Sequence, residues 1–177
     1  MARIPILGVV LAGGQSSRFG SDKALAEIGG RSLIALAVEQ LSGWCDHVVI
    51  VGRTFGPAPC LPDWPQPGMG PLGGLAAALH YAVDEGYGEV ISCGVDSPGL
   101  PDDLPDLLVP APACIDQQPV IGRWPAAKGA QAIEAILRGT GRHSMFAFAE
   151  SLGARRITLS APPANINSPE DLTSTGR

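Results

Sequence analysis

The chain has 177 residues, 45% of them hydrophobic and 16% charged, and its 12 basic and 17 acidic residues leave a net charge of −5. This length and composition predict one globular domain with a substantial core. The acidic balance, with two lysines (Lys23 and Lys128) and no basic cluster, argues against nucleic acid as the main partner. Proline and glycine interrupt the long, nearly uncharged stretch at 58–82, so we expect no membrane-spanning helix.

Short apolar runs alternate with helical patterns in the first half of the chain. The run at 6–11 is typical of a strand buried on both faces of a parallel sheet, and similar runs recur at 47–51 and 89–95. Leucines and alanines at helical spacing predict helices at 32–41 and 71–83. The alternation predicts an α/β fold in three layers, a mostly parallel, Rossmann-like sheet with helices on both faces. Further helices are expected at 102–108, 127–137 and 144–152, and a late strand at 155–159.

Three loops qualify as binding sites by their position, because ligands of such sheets bind outside the carboxyl ends of the strands. They are the loop after the first strand (13–22), the loop before the second helix (63–74) and the turn after the third strand (96–101).

The first loop reads LAGGQSSRFGSDKA over residues 11–24. Its glycines allow close approach to an anion, successive amides can form a nest for phosphate oxygens, and Arg18 and Lys23 supply positive charge. It matches neither familiar phosphate-binding motif, because Lys23 is followed by Ala24 and no GxGxxG is present. The alternative is a Gly-Ser surface turn with solvated charges. The position of one of the two lysines in this loop favours phosphate binding.

The turn after the third strand reads GVDSPGLP over residues 94–101 and places Asp96 at the end of an apolar run. A carboxylate there can hold Mg²⁺, which keeps most of its waters and bridges substrate phosphates. Asp96 can equally form an Asx-turn before Pro98. The residues alone leave both interpretations open.

The loop DWPQPGMGPLGG at 63–74 leads into the second predicted helix. Its backbone could press against a planar base while Asp63 accepts hydrogen bonds from ring N–H groups. A plain loop anchored by Trp64 explains the same residues. The order of proline and glycine there is typical of an irregular segment.

Near the end of the chain, Asn165 and Asn167 precede Ser168 and Pro169, a pair typical of a helix N-terminus. The two amides could reach a metal or a phosphate group. Ordinary capping and turn chemistry explains them equally well.

The cysteines and histidines indicate no metal centre. Four cysteines lie far apart with no CxxC pair and no histidine at ligand spacing, so we expect reduced, structural thiols. The N-terminal segment lacks a well-placed cleavage site, which favours a cytoplasmic enzyme.

Taken together, these segments resemble the molybdenum cofactor guanylyltransferase family, nucleotidyltransferases with a fold like that of nucleotide-diphospho-sugar transferases. The family's segments are matched in order by residues 11–23, by GPL at 70–72, by DSP at 96–98 and by NINSPE at 165–170. The resemblance spans almost the whole chain and implies a single nucleotidyltransferase domain at 1–177. The opening loop is shared with cytidylyl- and sugar-nucleotidyltransferases, whereas the asparagine segment is more specific.

The resemblance implies transfer of GMP from GTP to the terminal phosphate of molybdopterin, with Mg²⁺ as the cofactor. It implies that Lys23 grips the triphosphate, that Asp63 faces guanine, and that Asp96 binds the metal as well as the nucleotide. Asn165 and Asn167 would help to hold the pterin substrate or the metal. Arg18, Lys23 and Asp96 would be catalytic. The residues implied to bind the nucleotide are Leu11, Ala12, Gly13, Gly14, Lys23, Asp63, Gly70, Pro71, Leu72 and Asp96.

The chain departs from the family pattern at two places. Gly52-Arg53 stands where an asparagine is expected after the second strand, which leaves that ribose or base contact without a matching residue. Between Leu108 and Gln118 the chain is short and rich in proline where relatives have room for another strand, so the pterin side is expected to be reduced or supplied differently. Two pairs, Gln118-Pro119 and Arg142-His143, roughly match family positions near that substrate.

Other functions remain open from the residues. Cytidylyl transfer to the same cofactor is the nearest alternative, although relatives that use CTP tend to have alanine where Gly14 stands. A sugar-1-phosphate nucleotidyltransferase usually has a longer chain. A nucleotide-binding homologue without turnover would explain the short segment after Leu108. For the transferase, we expect transient docking with cofactor-synthesis or acceptor proteins.

Overall fold

The structure, a computed structural model, describes residues 2–13 and 22–175. The β-strands in this part of the chain are β1 (Ile6–Leu11), β2 (Glu27–Ile28), β3 (Arg31–Ser32), β4 (His47–Val51), β5 (Cys60–Leu61), β6 (Glu89–Gly94), β7 (Ala113–Ile115), β8 (Gln118–Pro125) and β9 (Arg155–Ile157). The helices are α1 (Leu33–Ser42), α2 (Gly70–Asp84), α3 (Leu104–Leu107), α4 (Ala126–Arg138), α5 (Met145–Ser151) and α6 (Pro169–Thr175), and a 3-10 turn covers Lys23–Leu25. None of these helices has the length and apolar character needed to cross a bilayer.

Seven strands form one sheet in the order β5-β4-β1-β6-β8-β7-β9, and β2 and β3 form a separate small ladder. Strands β5, β4, β1 and β6 run parallel, with Leu11 of β1 opposite Val51 of β4 on one side and Gly94 of β6 on the other. Strand β8 runs antiparallel to both β6 and β7. The mostly parallel sheet predicted from the alternating pattern is therefore confirmed.

Apolar clusters cover both faces of the sheet, which confirms the predicted three layers. One cluster packs α1 and the α3 segment against the sheet through residues such as Leu33, Leu41 and Leu104. The other packs α2, α4 and α5 against the opposite face. Trp124 on β8 is fully buried and donates its indole N–H to Ser92 at 2.9 Å, so this large side chain leaves no unpaired donor in the core.

The predicted helices lie within a few residues of their observed positions, and so do the strands predicted at 6–11, 47–51 and 89–95, which are β1, β4 and β6. The predicted late strand is the shorter β9. The expectation that the segment between Leu108 and Gln118 lacks a strand is wrong, because β7 lies there at Ala113–Ile115 and pairs with both β8 and β9. The β7–β8 hairpin turns through Gln117, which takes a φ of 66°. Glycine or asparagine is usual at such a position, and the sequence therefore gives no turn signal.

All four cysteines are free thiols, as expected. Burial raises the pKa of Cys45 and of Cys93 to about 12, so both thiols stay protonated at neutral pH. Cys93 belongs to the apolar cluster between the sheet and α1, and Cys45 packs against it.

Candidate nucleotide-binding site

The carboxyl ends of β1 and β4 approach each other through their backbones. The Ala12 N–H donates to the Val51 carbonyl at 3.0 Å, one residue beyond the paired strands. Gly52 follows with a φ of 83°, and a Cβ placed on it would lie 2.5 Å from the Cα of Gly13. A side chain at position 52 would therefore collide with the first loop, which is the physical reason why glycine stands there.

A pocket of ≈ 460 Å³ opens at this edge of the sheet. It is lined by Leu11, Gly13, Val51, Gly52, Asp63, Gly68, Gly70, Pro71 and Gly74. Residues from three separate stretches of the chain thus meet at the carboxyl ends of β1 and β4 and at the start of α2. The pocket has the size of a small-ligand site, and its lining is largely backbone and small side chains.

Asp63 projects into this pocket from the loop after β5. Its Oδ2 atom accepts a hydrogen bond from the Met69 N–H at 3.2 Å, which orients the carboxylate. The Trp64 N–H donates to the Gly73 carbonyl at 3.0 Å, so the loop is bound to the first turn of α2. The Trp64 ring also packs against His80, with ring centroids 4.7 Å apart. The loop is therefore anchored by Trp64 and also lines a pocket, while a contact between Asp63 and a planar base stays a prediction.

Lys23 opens the 3-10 turn that follows the first loop. Asp22 caps this turn, because its Oδ1 atom accepts the Ala24 N–H at 3.2 Å. Arg53 holds the same carboxylate, with its Nη1 atom 2.8 Å from Oδ1 and 2.7 Å from Oδ2. Sequence reasoning noted Arg53 only as a departure from the expected asparagine and missed this contact, which joins residues 31 positions apart.

Asp96 lies in the turn directly after β6. Its Oδ1 atom would be 2.6 Å from a Cβ on Gly94, so the carboxylate folds back over the end of its own strand. Leu11 of β1 is paired with Gly94, and Asp96 therefore faces the edge at which β1 ends. This is the point where the strand order reverses, the position at which ligands of open α/β sheets bind.

Two hydrogen-bonded connections bring the C-terminal asparagines to the Asp96 turn. The Ile166 N–H donates to the Asp96 carbonyl at 2.8 Å, and the Ile166 side chain is buried. Asn165 and Asn167 flank Ile166 and are exposed. The structure thus places the NIN segment next to Asp96, 70 positions away in sequence.

The second connection runs through Ser97 and Gln118. The Ser97 hydroxyl is buried and donates to Oε1 of Gln118 at 3.1 Å. The amide nitrogen of Gln118 lies 3.5 Å from the carbonyl oxygen of Pro163, just before the asparagines. Gln118 therefore acts as a bridge between the β6 turn and the C-terminal segment.

The asparagine segment also takes part in a helix cap, which is the alternative that the sequence left open. The Asp171 carboxylate accepts the N–H groups of Asn167 and Ser168 at 2.8 and 2.9 Å. These bonds lower the pKa of Asp171 below its usual 3.8. The backbone of Asn167 is thus used by the α6 cap, while the side chains of both asparagines stay exposed.

The remaining expected residues fall in two groups. Gly14 and Arg18 lie outside the described residues. Leu72 was expected at the nucleotide, but its side chain is 3% exposed and packs in the core below the pocket, because it faces the sheet from α2. Gly70 and Pro71, just before it, do line the pocket.

The donor set at Asp96 suits a hard cation held mainly by substrate. Within residues 2–13 and 22–175, no three His, Cys, Asp or Glu side chains group closely enough to hold a metal. A single carboxylate such as that of Asp96 can serve Mg²⁺ when substrate phosphates and waters complete its coordination.

Comparison with known proteins places the chain among nucleotidyltransferases. Residues 8–161 match the family model described as the MobA-like NTP transferase domain. The molybdenum cofactor guanylyltransferase of Acidiphilium cryptum is 34% identical over 179 residues, covering 93% of this chain and 90% of the relative. That of Rhodobacter capsulatus is 34% identical over 177 residues, covering 94% of this chain and 93% of the relative.

Solved structures support the fold. Molybdopterin-guanine dinucleotide biosynthesis protein A from Archaeoglobus fulgidus superposes with a TM-score of 0.74 at 20% identity and covers 96% of both chains. The 2-C-methyl-D-erythritol 4-phosphate cytidylyltransferase of Thermus thermophilus gives a TM-score of 0.65 at 15% identity, with 95% of this chain and 96% of that one covered. At these identities the superpositions show the fold alone. The match of the family model over most of the chain, together with relatives of this identity, shows that the chain belongs to the MobA-like NTP transferase family.

Proposed function

We propose that the protein transfers GMP from GTP to the terminal phosphate of molybdopterin, which yields the guanine dinucleotide form of the cofactor and pyrophosphate. The observation that carries the proposal is the pocket in which Leu11, Gly13, Asp63 and the start of α2 meet. Five of the residues that the family resemblance connects with the nucleotide, Leu11, Gly13, Asp63, Gly70 and Pro71, line this pocket, whereas Lys23 and Asp96 are not among its lining residues. The names of the curated relatives support the choice of GTP and of the molybdenum cofactor.

In this reaction an oxygen of the acceptor's terminal phosphate attacks the α-phosphorus of GTP. The bond between the α-phosphorus and the oxygen that bridges to the β-phosphate breaks, and pyrophosphate leaves with that electron pair. The protein has to align the attacking and leaving oxygens and to stabilise the charge on the phosphates. We assign the alignment of the nucleotide to the backbone around Gly13 and the neutralisation of the triphosphate to Lys23, together with Arg18.

Asp63 is the residue that we assign to the base. Its Oδ2 atom already accepts the Met69 N–H, so the carboxylate is oriented before any ligand binds. A carboxylate pairs with the adjacent N–H donors on the Watson–Crick edge of guanine, whereas cytosine presents an acceptor at the corresponding ring nitrogen. This chemistry favours GTP over CTP.

Mg²⁺ is part of the proposal. Asp96 would hold it, with the amide oxygens of Asn165 or Asn167 beside it, and the ion would supply positive charge to the phosphates of the substrate. The backbone hydrogen bond from Ile166 to Asp96 supports this assignment, because it brings the segment that carries both asparagines next to Asp96. Asn165 and Asn167 also remain our candidates for contacting the pterin substrate.

The reaction consumes GTP and a reactive pterin, and we therefore place it in the cytoplasm with transient docking to the proteins that supply and accept the cofactor. Nucleic acid and membranes have no part in it.

The test is pyrophosphate release by the purified protein with molybdopterin, Mg²⁺ and each of GTP, CTP, ATP and UTP. We expect turnover with GTP, loss of GTP binding in Lys23→Ala and loss of turnover in Asp96→Asn. Lys128→Ala on α4 and Asp84→Asn at the last residue of α2 are matched controls, because both residues are exposed and neither lines the pocket. Turnover with CTP alone would move the protein to the cytidylyl reaction. Binding of GTP without turnover would indicate a homologue that has lost catalysis.

A further inference from the structure

We propose that Arg53 is a positioning residue of the nucleotide site, which fixes the turn that carries Lys23 by holding Asp22. The inference rests on the proposed function only in naming GTP as the ligand. Arg53 acts through another side chain, so its effect on the reaction is indirect.

The contact is specific in its geometry. One nitrogen of Arg53, Nη1, lies within hydrogen-bond distance of both carboxylate oxygens of Asp22. The Nε atom of the same guanidinium donates to the Phe55 carbonyl at 3.3 Å, which fixes the group in its own loop. The Arg53 side chain is only 18% exposed, whereas that of Asp22 is 44% exposed. The arginine is therefore the ordered partner onto which the end of the first loop docks.

Both ends of the first loop are held by the same short segment. At its start, Ala12 bonds to Val51 and Gly13 packs on Gly52. At its end, Asp22 binds Arg53, the residue that follows Gly52. Residues 51–53 thus fix the distance between the two ends of the loop that contains the phosphate-binding candidates. An arginine stands where the family pattern predicted an asparagine, and this arginine binds the end of the first loop through Asp22.

Asp22 connects Arg53 to the 3-10 turn that begins with Lys23. Its Oδ1 atom caps the 3-10 turn at the Ala24 N–H, and its carbonyl accepts the Leu25 N–H at 3.1 Å. Removing Arg53 leaves these local bonds in place but takes away the ion pair that joins Asp22 to the loop after β4. The pair is partly exposed on its Asp22 side, and ion pairs open to solvent contribute little to global stability, so the expected consequence is a displaced Lys23 in a protein that is still folded.

The experiment measures GTP affinity by calorimetry with Mg²⁺ for Arg53→Met, Asp22→Asn and the double variant. We expect Arg53→Met to weaken GTP binding by about tenfold, within the range that a misplaced group can cost. Because Arg53 acts through Asp22, the double variant should bind GTP no more weakly than Asp22→Asn alone. Arg53→Lys should recover only part of the affinity, because its ammonium can replace Nη1 at the carboxylate but not Nε at the Phe55 carbonyl.

Arg31→Met is the control, since it removes a different arginine, which is more exposed than Arg53 and pairs with an acid, Glu39, on α1. We expect its GTP affinity to equal that of the wild type. Additive losses in the double variant would mean that Arg53 touches the nucleotide directly, and unchanged affinity in Arg53→Met would also overturn the proposal.

A second readout separates this proposal from the proposed function. Amide hydrogen exchange in the nucleotide-free protein should be faster at Ala24 and Leu25 in Arg53→Met, but not in Arg31→Met. If wild-type protein binds no GTP while this exchange difference is found, the proposed function fails and the role of Arg53 at the turn stands. If exchange at the turn is the same in both variants, the role of Arg53 is refuted whatever the ligand.

Discussion

Replacing Gly52 by alanine should damage both stability and nucleotide binding, since two separate costs meet at this residue. Its φ of 83° lies in the left-handed region, which costs an alanine about 1–2 kcal/mol. The new Cβ would also lie 2.5 Å from the Cα of Gly13, so the ends of β1 and β4 have to move apart. We expect a total loss of about 2–4 kcal/mol in the free energy of unfolding, in the upper range for single substitutions. Both glycines line the pocket, and GTP affinity should fall by at least about tenfold, or ~1.4 kcal/mol.

Gly86→Ala separates these two costs. Gly86 has the same φ of 83°, but a Cβ placed on it meets nothing within 4 Å. This control should lose about 1–2 kcal/mol, and for a chain of this size each kcal/mol lowers the melting temperature by about 2–4 °C. Thermal unfolding and GTP titration of both variants provide the comparison. Equal thermal shifts, or unchanged GTP affinity in Gly52→Ala, would show that the Gly13–Gly52 contact does not shape the pocket.

Two further predictions concern the Ser97–Gln118 bond at the Asp96 turn and the Asp171 cap of α6. Gln118→Leu leaves the buried Ser97 hydroxyl without its acceptor and should lower the free energy of unfolding, measured with urea, by about 1–3 kcal/mol. Adding Ser97→Ala should restore most of the lost stability. A double variant no more stable than Gln118→Leu would contradict the role of this hydrogen bond. The pKa of Asp171 is lowered in the folded protein, so its stabilising contribution is complete above about pH 4 and is lost as the pH falls through the folded value. The amide NMR shifts of Asn167 and Ser168 should follow this titration with a midpoint below 3.8, and a midpoint at or above 3.8 would contradict it.

The parallel half of the fold could be predicted because its signals are local. A strand buried on both faces needs a continuous apolar run, and β1, β4 and β6 each have one. The β7–β8 hairpin has no such signal, since Pro119 and Pro125 interrupt β8 and Gln117 occupies the turn. Proline removes a ladder donor and normally argues against a strand. Pairing with β6 outweighs this local preference, and only the folded structure shows it.

Predictability of the site divides in the same way. The placement of Gly13, Asp63 and Asp96 near the carboxyl ends of the strands could be predicted, because strand ends and glycine-rich loops mark them in sequence. The contact between Arg53 and Asp22 could not, because it depends on how two loops face each other across the edge of the sheet. The direction of the Leu72 side chain could not be predicted either: the residue adjoins a glycine and proline turn, but helical geometry directs its side chain into the core.

The reversed strand β8 explains how the two halves of the site come to share one edge. Parallel strands deliver their carboxyl ends to the binding edge, and β1, β4 and β6 do so. Because β8 is antiparallel to β6, it delivers its amino end instead, and that end is Gln118. A parallel strand in its place would carry its first residue to the opposite edge, leaving Ser97 without a partner and the C-terminal segment without its second connection. The strand that sequence reasoning overlooked therefore supports the Asp96 turn and the C-terminal segment, and variants along β8 should affect that turn before they affect the pocket at the ends of β1 and β4.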